Sequence, residues 1–258
     1  MRPFLSLSRG LLLVTALGCV SASRADVPTV AAASDLKFAL EEIAAEFTRT
    51  TGKAVRLSFG SSGNFARQIR QGAPFEMFLS ADEAFVAGLA RDGIARNAGD
   101  LYAVGRIVFF APRGSRLKTD PALQSVREAL AAGRLGKFAI ANPEHAPYGR
   151  AAKEALEAAG VWTAIERHLV LGENVSQAAQ FATSGGADGG IFAYSLALAP
   201  AVMALGEYVL LPESMHKPLR QRMVLLKNAG SVAAEFYAYV AGPEARRVFD
   251  RYGFLLPR

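Results

Sequence analysis

Apolar positions along this chain follow two alternating rhythms. Short, nearly unbroken apolar runs alternate with longer stretches whose apolar residues recur every three to four positions. VPTVAAAS predicts a strand, and Leu36, Leu40, Ile43 and Phe47 then fall on one helical stripe. KAVRLSF predicts a strand and NFARQIRQG a helix ending at Gly72; FEMFLSA predicts a strand and DEAFVAGLARDG a helix ending at Gly93. RIVFFAP reads as a buried strand, LQSVREALAAG as a helix, KFAIAN as a strand and GRAAKEALEAAG as a helix. HLVLGE leads into the helical NVSQAAQFATSG, and DGGIFAYS, YVLLP and RMVLLK read as strands. SVAAEFYAYVAG and PEARRVFDRYG close the chain as helices.

Strands alternating with helices of this length predict βαβ units and an α/β fold, whose ligands bind at the carboxyl ends of the strands. The number of units predicts two lobes, each a mainly parallel sheet flanked by helices, with a cleft between. The expected boundaries are 26–105 with a return over 222–258 for the first lobe and 106–221 for the second. RIVFF and QRMVLL would be the linking strands.

Residues 1–25 read as an export signal: Arg2 and Arg9, then the apolar LLLVTALGCV, then SRA before a cut. The apolar run is too short to span a membrane. Removing these residues takes away Arg2, Arg9 and Arg24 and no acid, so the formal charge falls from +6 to +3. Much of the basicity thus belongs to the leader, and no basic cluster interleaved with aromatics points to nucleic acid. The single cysteine, Cys19, also lies in the leader. The exported chain would carry no disulfide, thiol nucleophile or thiolate-held metal. ALGC loosely resembles a lipoprotein cleavage box, so a lipid anchor at Cys19 is the minor alternative to a free exported protein.

Four predicted strand-to-helix junctions share one character: AAASDL, FGSSGN, EHAPYGRAAKEAL and GENVSQAAQF. Each places small or hydroxyl residues where a helix starts, and a helix start carries unpaired N–H groups and about half a positive charge. Four such ends converging would present roughly +2, enough to match a dianion without lysine or arginine. In this reading Ser62 caps a helix starting near Asn64 and still offers its hydroxyl, while Gly60 and Gly63 let the backbone approach. Serine is also a common N-cap, so any one junction taken alone reads more readily as capping than as a binding site, and the set of four carries the argument.

The segments AAASDLKFALEEIA, GSSGNFARQIRQGAP, FLSADE, ANPEHAPYGRAAKEAL and GPEARRVFDRYGF, in this order, closely resemble the periplasmic molybdate-binding proteins of bacterial ABC importers. The likeness runs from about Val30 to the C-terminus. It implies the two-lobed periplasmic binding protein fold of type II, with molybdate or tungstate as transported ligand, no cofactor and no catalysis. The implied partners are a membrane permease with its ATPase, and the protein would act as a monomer in the periplasm. Carried over by motif, the ligand-binding residues are Ser34, Ser62, Tyr148 and Val175. They would meet the oxygens of the anion through hydroxyl and backbone N–H groups, and none would touch molybdenum. Two departures stand out. Where some members carry a ligand tyrosine on the strand after SGGADG, this chain has Ala193, with Tyr194 displaced by one position and so turned to the other face. Asp35 stands where many members have leucine; since a carboxylate repels an anion, it is expected to cap its helix and point away.

His145, His168 and His216 have no metal-ligand spacing. His145 lies in the expected binding loop, where loop packing or a supporting hydrogen bond suits it better than ligation. Asp82 and Glu83 open a helix, where the dipole favours acids. A sulfate binder, a binder of another small ligand and a serine hydrolase acting through Ser62 are the competing classes. The hydrolase lacks an evident base beside its serine.

Overall fold

The computed structural model describes residues 27–257, so the leader and Cys19 lie outside the described residues. Ten strands are formed: β1 Thr29–Ala33, β2 Arg56–Gly60, β3 Met77–Ser80, β4 Asp100–Gly105, β5 Ile107–Pro112, β6 Phe138–Ala141, β7 Leu169–Gly172, β8 Gly189–Ala193, β9 Gly206–Leu210 and β10 Leu219–Leu225. The helices are α1 Lys37–Thr51, α2 Ser62–Arg70, α3 Glu83–Arg91, α4 Gln124–Ala131, α5 Pro147–Ala158, α6 Trp162–Ile165, α7 Val175–Thr183, α8 Tyr194–Ala197, α9 Pro200–Met203, α10 Ser231–Ala241 and α11 Pro243–Arg251.

The strands form two five-stranded sheets, ordered β2-β1-β3-β10-β4 and β7-β6-β8-β5-β9. In the first, β1 pairs parallel with β2 and β3, while β10 runs antiparallel to both β3 and β4. In the second, β6 pairs parallel with β7 and β8, while β5 runs antiparallel to β8 and β9. In each sheet, therefore, four strands point one way and a single long strand opposes them. The reversed strands are the ones the chain uses to change lobes. It leaves the first sheet after Gly105, enters the second at Ile107, and returns before Leu219. The return thus comes ahead of Arg222, which lies inside β10. The C-terminal tail braces the crossing: Val104 and Leu255 form a bridge, and the Arg106 Nε donates to the Gly253 carbonyl at 2.9 Å.

The hydrophobic pattern does not predict strand β4, because Asp100 and the small Ala103 and Gly105 dilute its apolar run. Strand β8 ends at Ala193, one residue before Tyr194, which opens α8 instead of continuing the strand. The two cores follow the sheets. Phe109, Phe110, Phe138 and Phe192 are fully buried in the second lobe, and Phe47, Phe236 and Phe249 in the first. At Gly190 the sheet and α7 come so close that an added Cβ would lie 2.6 Å from the Ala139 carbonyl and 3.0 Å from the Ala182 methyl. Gly190→Ala is expected to cost about 1–3 kcal/mol through overpacking, measured by chemical denaturation against the unaltered chain.

Candidate functional site

The carboxyl ends of β1 and β2 in one lobe, and of β6 and β7 in the other, discharge into a common crevice. There a small, tightly closed cavity is lined by Ala33, Ser34, Asp35 and the Gly60–Ser62 turn from the first lobe. Ala81 completes that side, and Ala146, Pro147, Tyr148 and Val175 line the other. All four residues singled out from the sequence, Ser34, Ser62, Tyr148 and Val175, are therefore neighbours in one cleft. No lysine or arginine lines it. A larger hollow bordered by Val27, Arg56, Glu76 and Asn228 lies at the amino ends of the first-lobe strands, away from the ends where such sheets bind ligands.

The cleft owes its character to helix starts. Asn174 caps α7, its side chain accepting from the N–H groups of Ser176 and Gln177 at 3.1 Å each, which leaves the Val175 N–H without an acceptor among the described residues. Helix α5 opens with Pro147, which has no N–H, and has no side-chain cap, so the Tyr148 N–H is likewise uncommitted. The start of α2 differs from expectation. The helix begins at Ser62 itself, and it is Ser61 whose Oγ caps it by accepting from the Asn64 N–H at 3.3 Å. Ser62 is freed from capping; its Oγ accepts from the Ala81 N–H at 3.0 Å and retains its own proton for another partner. Ser34 Oγ accepts from the Ser176 N–H at 3.3 Å, and the Ser176 hydroxyl donates to the Ser34 carbonyl at 2.8 Å.

Asp35 does not point away. It is 1 % exposed, lines the cleft and caps nothing. Its Oδ2 accepts from the Tyr148 hydroxyl at 2.9 Å and from Gln221 Nε2 at 2.6 Å, and the Tyr102 hydroxyl donates to Gln221 Oε1 at 2.7 Å. Burial pushes the Asp35 carboxyl up from 3.8 to about 6, against the lowering effect of the Gln221 and Tyr148 hydrogen bonds. Burial first, and the Asp35 charge second, hold the hydroxyls of Tyr102 and Tyr148 well above the usual tyrosine range. The Tyr148 hydroxyl, expected as a candidate ligand contact, is thus committed to Asp35. Tyr194 stays out of the cleft: the Arg106 guanidinium sits 4.9 Å from its ring centroid and Tyr208 packs 5.7 Å away.

The lobes are in contact across the crevice. The Gly63 N–H donates to the His145 carbonyl at 3.0 Å, Ser61 Oγ lies 2.9 Å from His145 Nδ1, and Ser195 Oγ donates to the Asp35 carbonyl at 2.8 Å. Asn64 donates to Glu173, and Arg150 pairs with Asp82 at 3.1 Å. His145 thus takes a supporting role, with Glu173 3.6 Å behind its Nε2. Asp82 both caps α3 and carries an interlobe ion pair. The contributions of Ser61 and Ala81 are not legible in the sequence; the GSSG turn signals two hydroxyls without saying which would cap.

A match to the model of a family described as "Bacterial extracellular solute-binding protein" spans residues 28–255. The chain is 38% identical over 254 residues to the molybdate-binding protein ModA of Rhodobacter capsulatus, covering 97% of this chain and 94% of that one. It is 32% identical to the ModA protein of Escherichia coli, covering 88% of each chain. The solved structure of the Azotobacter vinelandii periplasmic molybdate-binding protein superposes with a TM-score of 0.81 at 30% identity, covering 90% of this chain and all of that one.

Closure depends on one small residue. A Cβ at Gly63 would lie 2.5 Å from the His145 carbonyl oxygen, across the lobe interface. Gly63→Ala is expected to leave the unfolding of each lobe unchanged while propping the crevice open. With an overpacking cost of about 1–3 kcal/mol falling on closure alone, small-angle scattering should record a larger radius than for the unaltered chain under closing conditions.

Proposed function

This chain belongs to the bacterial extracellular solute-binding protein family, and we propose that within it the protein captures molybdate, and tungstate with it, in the periplasm for delivery to an ABC importer. The observation that carries this reading is a cleft rich in uncommitted donors and free of basic side chains, at the meeting point of two lobes. The likeness to molybdate-binding proteins over nearly the full chain supports it.

In the proposed complex the anion sits among the hydroxyls of Ser34 and Ser62 and the N–H groups of Tyr148 and Val175. Burying a bare dianion is prohibitive, whereas each charge-assisted hydrogen bond returns about 1.5–3 kcal/mol, so several donors must act together. Neither lobe holds enough of them: Ser34 and Ser62 come from the first, Tyr148 and Val175 from the second. Binding therefore favours the closed arrangement, which becomes the signal a permease reads. Selection against sulfate, another tetrahedral dianion, falls to the size of the cavity. The protein acts without a cofactor, without catalysis and as a monomer.

A hydrolase centred on Ser62 finds little support, since the Ser62 hydroxyl meets a backbone N–H. The His145 imidazole, beside the cleft lining, meets Ser61, which is already engaged as a helix cap. Absence of ester turnover by the purified protein would dispose of that alternative.

Molybdate and tungstate are expected to raise the melting temperature strongly, with sulfate and phosphate giving little; equal shifts with sulfate would reassign the ligand. Ser62→Ala should weaken molybdate binding by roughly 10- to 150-fold, the equivalent of one lost charge-assisted hydrogen bond, measured by isothermal titration calorimetry.

A further inference from the structure

Asp35 is the one acidic side chain lining the cleft, and its two oxygens have unequal surroundings. Oδ2 takes two side-chain donors, Tyr148 Oη at 2.9 Å and Gln221 Nε2 at 2.6 Å, and the backbone N–H of Asp35 itself adds a weaker lowering influence on the carboxyl. Oδ1 is buried and has no hydrogen-bond partner among the described residues. Such an oxygen is costly as half of a carboxylate, because a buried acceptor without a donor forfeits its hydration. It is satisfied once it carries a hydrogen and finds an acceptor. The donors on Oδ2 dictate where that hydrogen goes: Gln221 Nε2 can only donate, and the Tyr148 hydroxyl also receives Gln221 Nε2 at 3.0 Å and so turns its own hydrogen to Asp35. The acid hydrogen is left for Oδ1.

We propose that Asp35 binds the oxyanion as a neutral acid, donating from Oδ1 to an anion oxygen, so that capture of each dianion takes up one proton. This rests on the oxyanion reading above and adds a specificity-determining residue to it. An ionised Asp35 would do the reverse: it would repel a dianion and accept a hydrogen bond from an oxyanion that keeps its own O–H, such as hydrogen phosphate. One side chain thus decides between the two classes of anion.

Among the described residues no cation is paired with Asp35: on β10, Arg220 and Arg222 flank Gln221 but both pair with Glu83, at 2.6 and 2.9 Å. The titratable groups acting on it are Tyr102 from β4 and Tyr148 from α5, both neutral across the physiological range. Helix α7 carries no acid or base, and α8 carries only Tyr194, which pairs with Arg106. On α1 the nearest cation, Lys37, is half-exposed and paired with Glu41 at 2.6 Å. In β2 the only charge is Arg56, exposed at the strand's far end. His145 faces Ser61 and Glu173. Burial already raises the carboxyl to about 6, and a neighbouring dianion pushes it further in the same direction. An acid whose proton is held more tightly in the bound state gives an affinity that is lost as pH rises, by about tenfold per pH unit from about pH 6 upward.

The test is isothermal titration calorimetry of the purified protein with sodium molybdate between about pH 5.5 and 8.5, spanning the range over which the linked proton is taken up. Paired buffers of different protonation enthalpy give the proton count, and sodium phosphate serves as a second titrant. The expected result is proton uptake that is small below about pH 6 and approaches one per molybdate as pH rises well above it, an affinity falling with pH as above, and no phosphate binding. Asp35→Asn keeps an amide donor where Oδ1 stood, so it should bind molybdate with no proton uptake and a flat pH profile. If the unaltered protein binds molybdate equally well at every pH and takes up no proton, the inference is overturned and the oxyanion reading still stands. Phosphate binding abolished by Asp35→Asn would also overturn it, by showing Asp35 to be an acceptor. Failure of molybdate to bind at every pH would remove the function itself. The proton count comes from the unaltered protein, so the inference stays open to refutation even if the variant fails to fold.

Discussion

Backbone N–H groups at the start of a helix have no partner within the helix, and the architecture of this protein brings several of them to one point. Helices α2, α5 and α7 begin at Ser62, Pro147 and Val175, and all three starts border the same cavity. These helices belong to different lobes, so their meeting depends on the lobes being in contact. The parallel order of β1 with β2 and of β6 with β7 sets each helix start at a carboxyl end. The reversed strands β5 and β10 then carry the chain between sheets without disturbing that edge.

The same constraint explains the choice of small residues. Donors on the backbone reach a guest only where side chains stay out of the way, and the crevice is walled by Ala33, Gly60, Ala81 and Ala146. The contacts that bring the lobes together are modest and mostly uncharged: the Gly63 N–H on the His145 carbonyl, and the Ser176 and Ser195 hydroxyls on carbonyls of the first lobe. Weak individual contacts suit a crevice that must open again, since a surface strongly glued shut would hold no reserve for a ligand to exploit.

The polar network behind the cavity is the exception to this mildness. Asp35, Gln221, Tyr148 and Tyr102 are all buried, and every polar side-chain atom in the set except Asp35 Oδ1 has a partner. A nearly complete buried network is expensive to leave unfinished. Asp35 also lines the cavity, so the network reaches from the core of the first lobe to the cleft.

The resemblance to molybdate-binding proteins picked out Ser34, Ser62, Tyr148 and Val175, whereas periodicity and junction chemistry in the sequence determined the α/β class, the two lobes and the helix starts that meet at the cleft. Those features depend on spacings of two to four residues and on turn chemistry, which one stretch of chain settles by itself. The side-chain partners at the site were decided only by the tertiary structure. Asp35 meets Tyr148, Ser195 and Gln221 from 113, 160 and 186 positions away, and no local rule governs such meetings. Ser61 and Ser62 are equally good caps in sequence; the Ala81 N–H arriving from β3's end, and His145 from the other lobe, assigned one to the helix and the other to the cavity. Which oxygen of a carboxyl is left without a donor is a fact of packing in three dimensions, and that is the reason the sequence could place Asp35 beside the cleft but not say which way it faced.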